Sequence, residues 1–175
     1  KEVAPLVYQA KSWNHGVLVG AGVASETTSA NVGEVGIVRR DPMAMLPFCG
    51  YNVADYWTHW LSMKDKLTEL PKIYRVNWFR KNGDGKFMWP GFGQNMRVLQ
   101  WIAERAEGDA SAEESVLGLS PGYDDINWAG LDFTREEFDN LPDEPYLILL
   151  TIAPKKGNSQ GSTFVLDPIL RGIYR

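Results

Sequence analysis

The stretch VNWFRKNGDGKFMWPGFGQN, residues 76–95, places five large aromatic rings and three cations around one short turn. The Asn-Gly and Asp-Gly pairs at 82–85 favour a tight hairpin turn because these residues tolerate positive φ. Residues 73–79 have the character of a strand, and KFMW at 86–89 predicts its returning partner. The predicted hairpin has two interpretations. Its rings pack a hydrophobic core, or they line a pocket for a flat, anionic ligand.

Helical patterns flank this hairpin. Residues 51–63 carry apolar side chains at the i, i+3, i+4 spacing of an amphipathic helix. Asn95 is predicted to cap a second helix, whose apolar stripe includes Val98, Trp101 and Ile102 and which ends at Gly108. A short helix is expected at 135–141, because the Thr and Glu at 134 and 137 form a capping box.

Two further segments have a distinct composition. Residues 25–36 are small and polar, so we expect a mobile loop without large apolar anchors. Residues 146–152 are an apolar run, which either forms a strand where a free sheet edge accepts it or stays exposed and promotes aggregation.

Length, composition and charge limit the classes of protein to which this chain can belong. The 175 residues fit one domain, and the chain has no apolar run long enough to span a membrane and no signal-peptide pattern. Cys49 is the single cysteine, which favours a reducing, cytoplasmic location. The net charge of −4 hides an acidic segment, 104–144, with 13 acidic and 2 basic residues. The segment 72–97 has 6 basic and 1 acidic residue, a balance that suits phosphate groups or a solvated face.

The residues do not reveal a catalytic centre. The sequence has no G-x-x-x-x-G-K-[ST] phosphate loop. His15, His59 and Cys49 are far apart, so a metal site is not predicted and both histidines are interpreted as structural. Composition and spacing therefore favour either a nucleotide- or anion-binding module or an aromatic core.

Four stretches resemble one known family, the GTP-dependent phosphoenolpyruvate carboxykinases. They are PLVYQAKSWNHGVLVGAGVASETTSA, RRDPMAMLPFCGYNVADYWTHWLSM, LPKIYRVNWFRKNGDGKFMWPGFGQNMRVLQWI and EGDASAEESVLGLSP. The resemblance covers about residues 5–141. It implies a decarboxylating lyase of gluconeogenesis that converts oxaloacetate and GTP to phosphoenolpyruvate, carbon dioxide and GDP with manganese and magnesium.

The resemblance also implies roles for particular residues. The aromatic walls of the guanine pocket would be Trp78, Phe79, Phe87 and Phe92. Asn95 would read the edge of the base, and Gly93 and Gln94 would belong to the same contacting turn. A mobile lid would occupy 25–36, including Ser25, Glu26, Thr27, Thr28, Ser29, Ala30, Asn31, Val32 and Gly33. Trp89 has no role by resemblance and is interpreted as core.

The resemblance implies an α/β fold: a partial kinase-like nucleotide-binding domain with a mixed sheet and flanking helices. Residues 1–141 would be its C-terminal part, with the pocket hairpin at 73–95, and 142–175 would be an atypical tail. The phosphate loop, metal ligands and oxaloacetate-binding arginines would lie in a missing N-terminal part, so this chain alone is expected to be inactive. The complete enzyme would be a monomer that acts on small molecules, not on nucleic acid or membranes.

Two alternatives stay open. The chain is a non-catalytic module that binds GTP or GDP, or it is an oligonucleotide-binding hairpin domain. Steep salt dependence of binding would favour the second alternative, against which the net charge of −4 argues.

Overall fold

The computed structural model describes residues 5–26, 38–78, 82, 84–139, 148–152 and 164–165, which form an α/β fold. The helices are α1 (Trp13–Ala21), α2 (Val53–Lys66), α3 (Asn95–Glu107) and α4 (Arg135–Asp139). The strands are β1 (Val7–Gln9), β2 (Ala24–Glu26), β3 (Val38–Arg40), β4 (Lys72–Val76), β5 (Glu113–Glu114), β6 (Leu119–Ser120), β7 (Ile148–Ile152) and β8 (Phe164–Val165). No helix in these ranges combines the length and apolar character that crossing a bilayer requires.

Six strands form one sheet in the order β5-β6-β1-β4-β7-β8, and β2 and β3 form a separate ribbon. Every pairing among the described strands is antiparallel, so the prediction of a mixed sheet is wrong for this part of the chain. The pairing of β1 with β4 illustrates the antiparallel direction. The backbone N–H of Ala10 donates to the carbonyl of Ile73 at 2.8 Å, so β4 begins at the end of the sheet where β1 stops.

One face of the sheet carries the main core. Tyr74 and Val76 of β4 pack against α3, whose Val98, Trp101 and Ile102 are all buried. The rings of Tyr74 and Trp101 meet edge to face with their centroids 6.1 Å apart. Because apolar residues at helical spacing face the sheet, the predicted stripe of this helix is confirmed. Its predicted end is confirmed too, since Gly108 terminates α3 with φ 96°.

The opposite face is covered by α1 and α2. Trp13 and Val17 of α1 are buried with Ile73 of β4, and Trp60 and Met63 of α2 pack against them. The indole N–H of Trp13 donates to the backbone carbonyl of Trp60 at 2.8 Å, which ties the two helices together.

Of the two predicted N-terminal caps, the one at Thr134 forms, and α2 has a further cap that was not predicted. Helix α2 confirms the prediction of a helix at 51–63, and its N-cap is Asn52, whose side-chain oxygen accepts from the backbone N–H of Ala54. Helix α4 begins with the expected capping box. The backbone N–H of Thr134 donates to the Glu137 carboxylate at 2.7 Å, and the backbone N–H of Glu137 donates to the Thr134 hydroxyl at 3.1 Å. The first of these bonds, followed by one of 2.9 Å from the Thr134 hydroxyl to the same carboxylate, holds the pKa of Glu137 below its usual value.

In the described part of the predicted hairpin, the turn forms. Asn82 organises this turn, because its side-chain oxygen accepts from the backbone N–H groups of Asp84 and Lys86, each at 3.0 Å. However, β4 ends at Val76, and KFMW at 86–89 contains an isolated β-bridge at Phe87 instead of a continuous strand; residues 79–81 lie outside the described part of the chain. Both edges of β4 are already paired, with β1 and with β7, so no edge is left for a returning strand.

Most of the apolar run at 146–152 pairs with the edge of a strand. Ile148–Ile152 forms β7 and pairs with β4 in antiparallel register, with Leu150 opposite Tyr74. Strand formation in this segment was expected to need a free sheet edge, and β4 provides that edge. Residues 140–147 lie outside the described part of the chain.

Candidate functional site

The aromatic stretch ends in a glycine turn that leads into α3. Gly91 has φ 96° and ψ −159°, a backbone conformation that residues with a Cβ rarely adopt. A single helical turn, Phe92–Gln94, follows, and the backbone N–H of Gln94 donates to the carbonyl of Gly91 at 3.0 Å. The chain then enters α3 at Asn95. This turn therefore sets how the last aromatic residue and the start of the helix face each other.

A buried hydrogen bond closes the segment 89–95. The indole N–H of Trp89 donates to the side-chain oxygen of Asn95 at 2.7 Å. The two residues are 2% and 8% exposed. The prediction that the Asn95 side chain caps α3 is therefore wrong. Asn95 is the first residue of the helix, Gln94 takes the N-cap position without a side-chain bond, and the oxygen that would cap is held by Trp89.

Arg97 holds the turn from its other side. Its Nε donates to the side-chain oxygen of Gln94 at 2.6 Å, and its two terminal nitrogens donate to the backbone carbonyls of Asn127 and Ala129. This guanidinium joins the turn to the loop that follows β6. Sequence reasoning missed both Arg97 and the Trp89 contact. The available signal was the spacing of Gln94 and Arg97, which places an acceptor and a donor three residues apart on a helix.

A cluster of aromatic rings lies behind Trp89. Its ring meets Phe133 and Trp128 at centroid distances of 5.9 and 6.3 Å, both edge to face. Trp128 stacks on Phe133 at 5.2 Å and on Tyr123 at 5.1 Å. Such contacts each add to the burial of the rings and limit their rotation. The interpretation of Trp89 as a core residue is therefore confirmed.

The predicted wall residues divide into buried and exposed ones. Trp78 is buried in the main core, because it continues the face of the strand on which Tyr74 and Val76 point toward α3. Phe87 and Phe92, in contrast, are 60% and 75% exposed. Phe79 lies outside the described residues.

The remaining predicted pocket residues follow Phe92 directly. Gly93 is exposed, and Gln94 is half-buried with its side chain on Arg97. The bond between Trp89 and Asn95 makes the segment 89–95 a closed loop. Phe92 lies in the middle of this loop and Phe87 lies just before it, whereas Trp78 belongs to the main core.

The predicted lid begins on a strand. Ser25 and Glu26 belong to β2, and Glu26 pairs with Val38 of β3, so these two residues are strand and not loop. The other lid residues, Thr27, Thr28, Ser29, Ala30, Asn31, Val32 and Gly33, lie outside the described part of the chain. Below the ribbon, the buried Asp41 accepts from the backbone N–H of Leu46 at 3.0 Å and lies 3.6 Å from the guanidinium of Arg39.

The histidines do not converge with other metal-binding side chains. His15 Nδ1 accepts from the backbone N–H of Lys11 at 3.1 Å, and partial burial, followed by the charge of Lys11, lowers the pKa of His15. His59 is exposed on α2. Among the residues that the structure describes, no group of three His, Cys, Asp or Glu side chains is placed to hold a metal ion.

The chain is similar to known proteins over most of its length. Residues 1–145 match the family model described as the phosphoenolpyruvate carboxykinase C-terminal P-loop domain. A phosphoenolpyruvate carboxykinase (GTP) of Anaeromyxobacter dehalogenans is 53% identical over 132 residues, which are 75% of this chain and 22% of that protein. The Chlamydia trachomatis protein of the same name is 54% identical over 136 residues, 77% of this chain and 23% of that protein.

These matches cover the aromatic stretch, the glycine turn and α3. The chain spans less than a quarter of the length of these curated relatives. Because the family model matches 145 of the 175 residues, the chain belongs to the GTP-dependent phosphoenolpyruvate carboxykinase family, within its C-terminal domain.

Proposed function

We propose that this chain binds the guanine base of GTP or GDP and supplies this pocket, with the mobile lid, to a GTP-dependent phosphoenolpyruvate carboxykinase. One observation carries the proposal. Two large rings stay exposed next to the buried bond that fixes the Asn95 amide: Phe92 lies inside the loop 89–95 that this bond closes, and Phe87 lies just before that loop. The reaction would be that of the family, in which oxaloacetate and GTP give phosphoenolpyruvate, carbon dioxide and GDP.

Stacking would supply most of the affinity for the base. An exposed phenylalanine ring gains about 1–3 kcal/mol by stacking on a nucleobase, and every base offers a face for it. Phe87 and Phe92 are suited to this role because their rings are exposed, and the loop that contains Phe92 and follows Phe87 is held by Trp89 and Arg97. The exposed cation Lys86 raises the local potential for phosphate groups.

Base selection would come from the amide of Asn95 together with the backbone of Gly93 and Gln94. The oxygen of Asn95 accepts from Trp89, so its NH2 group is the donor left for the base, and guanine and adenine present opposite donor and acceptor patterns at corresponding edge positions. A site that hydrogen-bonds its ligand discriminates more strongly than stacking does, because the wrong base leaves polar groups unpaired.

The chemical step would require parts of the enzyme beyond this chain. Phosphoryl transfer needs a phosphate loop, a lysine and metal ions, and the sequence has no G-x-x-x-x-G-K-[ST] motif. The described residues do not fit the manganese and magnesium that the family implies, since they contain no group of three metal-binding side chains.

The rest of the proposal follows the resemblance to the family. The complete enzyme would have a kinase-like architecture and act as a cytoplasmic monomer. Residues 25–36 would close over the substrates and exclude water from the reactive intermediate. The β2–β3 ribbon supports this role, because its paired strands flank the greater part of the lid.

Calorimetric titration with GDP and ADP tests the pocket. We expect Phe92→Ala to weaken both nucleotides alike, by about 1–3 kcal/mol, because stacking does not distinguish bases. Asn95→Ala is expected to weaken GDP far more than ADP. Val116→Ala is the matched control, because Val116 is as exposed as Phe92, at 75%, but lies in the turn between β5 and β6.

Two outcomes would contradict this proposal, and a third would change the residue assigned to base selection. The first is an unmodified chain that does not bind GDP at millimolar concentration. The second is a Phe92→Ala variant that binds both nucleotides as tightly as the Val116→Ala control does. An equal loss of GDP and ADP in Asn95→Ala would remove Asn95 from base selection and leave the backbone of Gly93 and Gln94 in that role.

A second candidate function is a module that binds GTP or GDP without turnover. It is favoured for the isolated chain because the chain spans less than a quarter of the length of its relatives. We expect the chain alone not to decarboxylate oxaloacetate, because the residues that stabilise charge on a transferring phosphoryl group are missing. The measurement is a coupled assay with GTP, manganese and oxaloacetate. Turnover above that of a buffer control would contradict the expectation.

A further inference from the structure

We propose that Trp89 is a positioning residue for base selection, which holds the Asn95 amide in the one orientation that recognises a 6-oxopurine. The inference rests on the proposed function, because it assumes that Asn95 meets the base. Trp89 itself does not touch the nucleotide in this proposal. It acts through the hydrogen bond of 2.7 Å from its indole N–H to the Asn95 side-chain oxygen.

The chemistry of the two groups permits only one orientation of the amide. An indole N–H is a donor and never an acceptor, whereas an asparagine amide has an oxygen on one side and an NH2 group of nearly the same shape on the other. Rotating the amide by half a turn would place its NH2 group against the indole N–H, donor against donor. Both side chains are buried, so water cannot relieve that conflict.

The donor is itself held in place. The ring of Trp89 packs edge to face on Phe133 and on Trp128, in the aromatic cluster described above. Asn95 is also constrained, because it is the first residue of α3 and the first turn of that helix is held by Arg97. A fixed donor and a fixed backbone leave the amide oxygen facing the indole and make the NH2 group the part available to a ligand.

This orientation defines the class of ligand. An NH2 donor pairs with the O6 carbonyl of guanine, and it equally accepts hypoxanthine, which has the same carbonyl. Adenine carries an amino group at that position, which is also a donor, so neither group would be satisfied. Specificity of this kind arises because the wrong ligand leaves a polar group unpaired. The site would thus select 6-oxopurine nucleotides, and Trp89 would enforce the selection.

Two matched variants separate positioning from packing. Trp89→Phe keeps an aromatic ring in the cluster but removes the N–H that holds Asn95. Trp128→Phe removes an indole N–H from the same cluster, one that donates to the backbone carbonyl of Tyr123 at 2.7 Å. We titrate GDP, IDP and ADP into both variants and into the unmodified chain by calorimetry.

We expect Trp89→Phe to bind GDP and IDP about tenfold more weakly, while the affinity for ADP is unchanged, as is typical of losing one hydrogen bond in a buried site. Trp128→Phe should leave the ratio of GDP to ADP affinity as it is. A third variant covers the case in which Trp89→Phe does not fold. Asn95→Asp keeps an oxygen for the indole N–H but replaces the NH2 group by a second acceptor. It should lower the affinity for GDP and raise that for ADP.

The outcomes decide between this inference and the proposed function. If the unmodified chain does not bind GDP, the proposed function fails and this inference falls with it. If the unmodified chain binds GDP and Trp89→Phe keeps the full preference for GDP over ADP, only the role of Trp89 is overturned. An equal loss of GDP and ADP in Trp89→Phe would assign it a purely structural role. A GDP preference that persists in Asn95→Asp would also overturn the inference.

Discussion

Replacing Trp101 by alanine is expected to lower the free energy of unfolding by about 3–5 kcal/mol, the range for a large aromatic side chain removed from a core. Trp101 is 1% exposed at the centre of α3 and meets Tyr74 of β4 edge to face. Its indole N–H also donates to the backbone carbonyl of Ser111 at 3.2 Å, so the variant loses a hydrogen bond as well as packing. The whole stability of a domain is about 5–15 kcal/mol, so this loss is a large share of it.

Urea unfolding followed by circular dichroism measures this effect, with Met96→Ala as the control on the same helix. Met96 is 67% exposed, and an exposed substitution changes stability by about 0.5 kcal/mol or less. Because α3 carries Asn95 at its first position, GDP binding by Trp101→Ala should be lost at a lower temperature than in the control. A Trp101→Ala variant within about 1 kcal/mol of the unmodified chain would show that α3 does not depend on this contact.

Gly16→Ala should lower the free energy of unfolding by about 3 kcal/mol, at the upper end of the usual cost of overpacking. A Cβ at Gly16 would lie 2.3 Å from Cδ1 and 2.9 Å from Cβ of Ile73. The side chain of Ile73 cannot retreat easily, because β4 is paired on both sides, with β1 and β7. The higher helix propensity of alanine recovers only about 1 kcal/mol.

Gly22→Ala is the matched control for this prediction, since Gly22 ends the same helix. Its φ is −86°, and an added Cβ would meet only the carbonyl oxygens of Val19 and Leu18, at the ordinary distances of 3.6 and 3.7 Å. Thermal melting of both variants compares them directly. Equal melting temperatures for Gly16→Ala and Gly22→Ala would contradict the close packing of α1 on β4.

The helices were predictable because their signals are local. The apolar spacing at 51–63 and at 98–102, the glycine at 108 and the capping box at 134–137 all act within a few residues, and each is found where it was predicted. The family and the α/β class also followed from the sequence, through the long motif around 76–95.

The pairing of strands was less predictable, because it depends on residues far apart in the chain. The turn at Asn82 formed as its dipeptides predicted, yet the returning strand did not. A hairpin needs an unoccupied edge, and β4 has none, since β7 from the end of the chain pairs along it. The antiparallel direction of β1 and β4 likewise depended on where α1 and α2 return the chain.

For the candidate site, the sequence by itself determined which residue types are present: exposed rings for stacking, an amide for reading a base edge and a glycine turn that joins them. Only the tertiary structure decided their roles. It buried Trp78 with the main core, left Phe87 and Phe92 exposed, and directed the Asn95 oxygen to Trp89 instead of the helix end. The physical reason is that a hydrogen bond or a ring contact depends on the geometry of both partners, and Trp89 is itself held by Trp128 and Phe133, more than thirty residues along the chain.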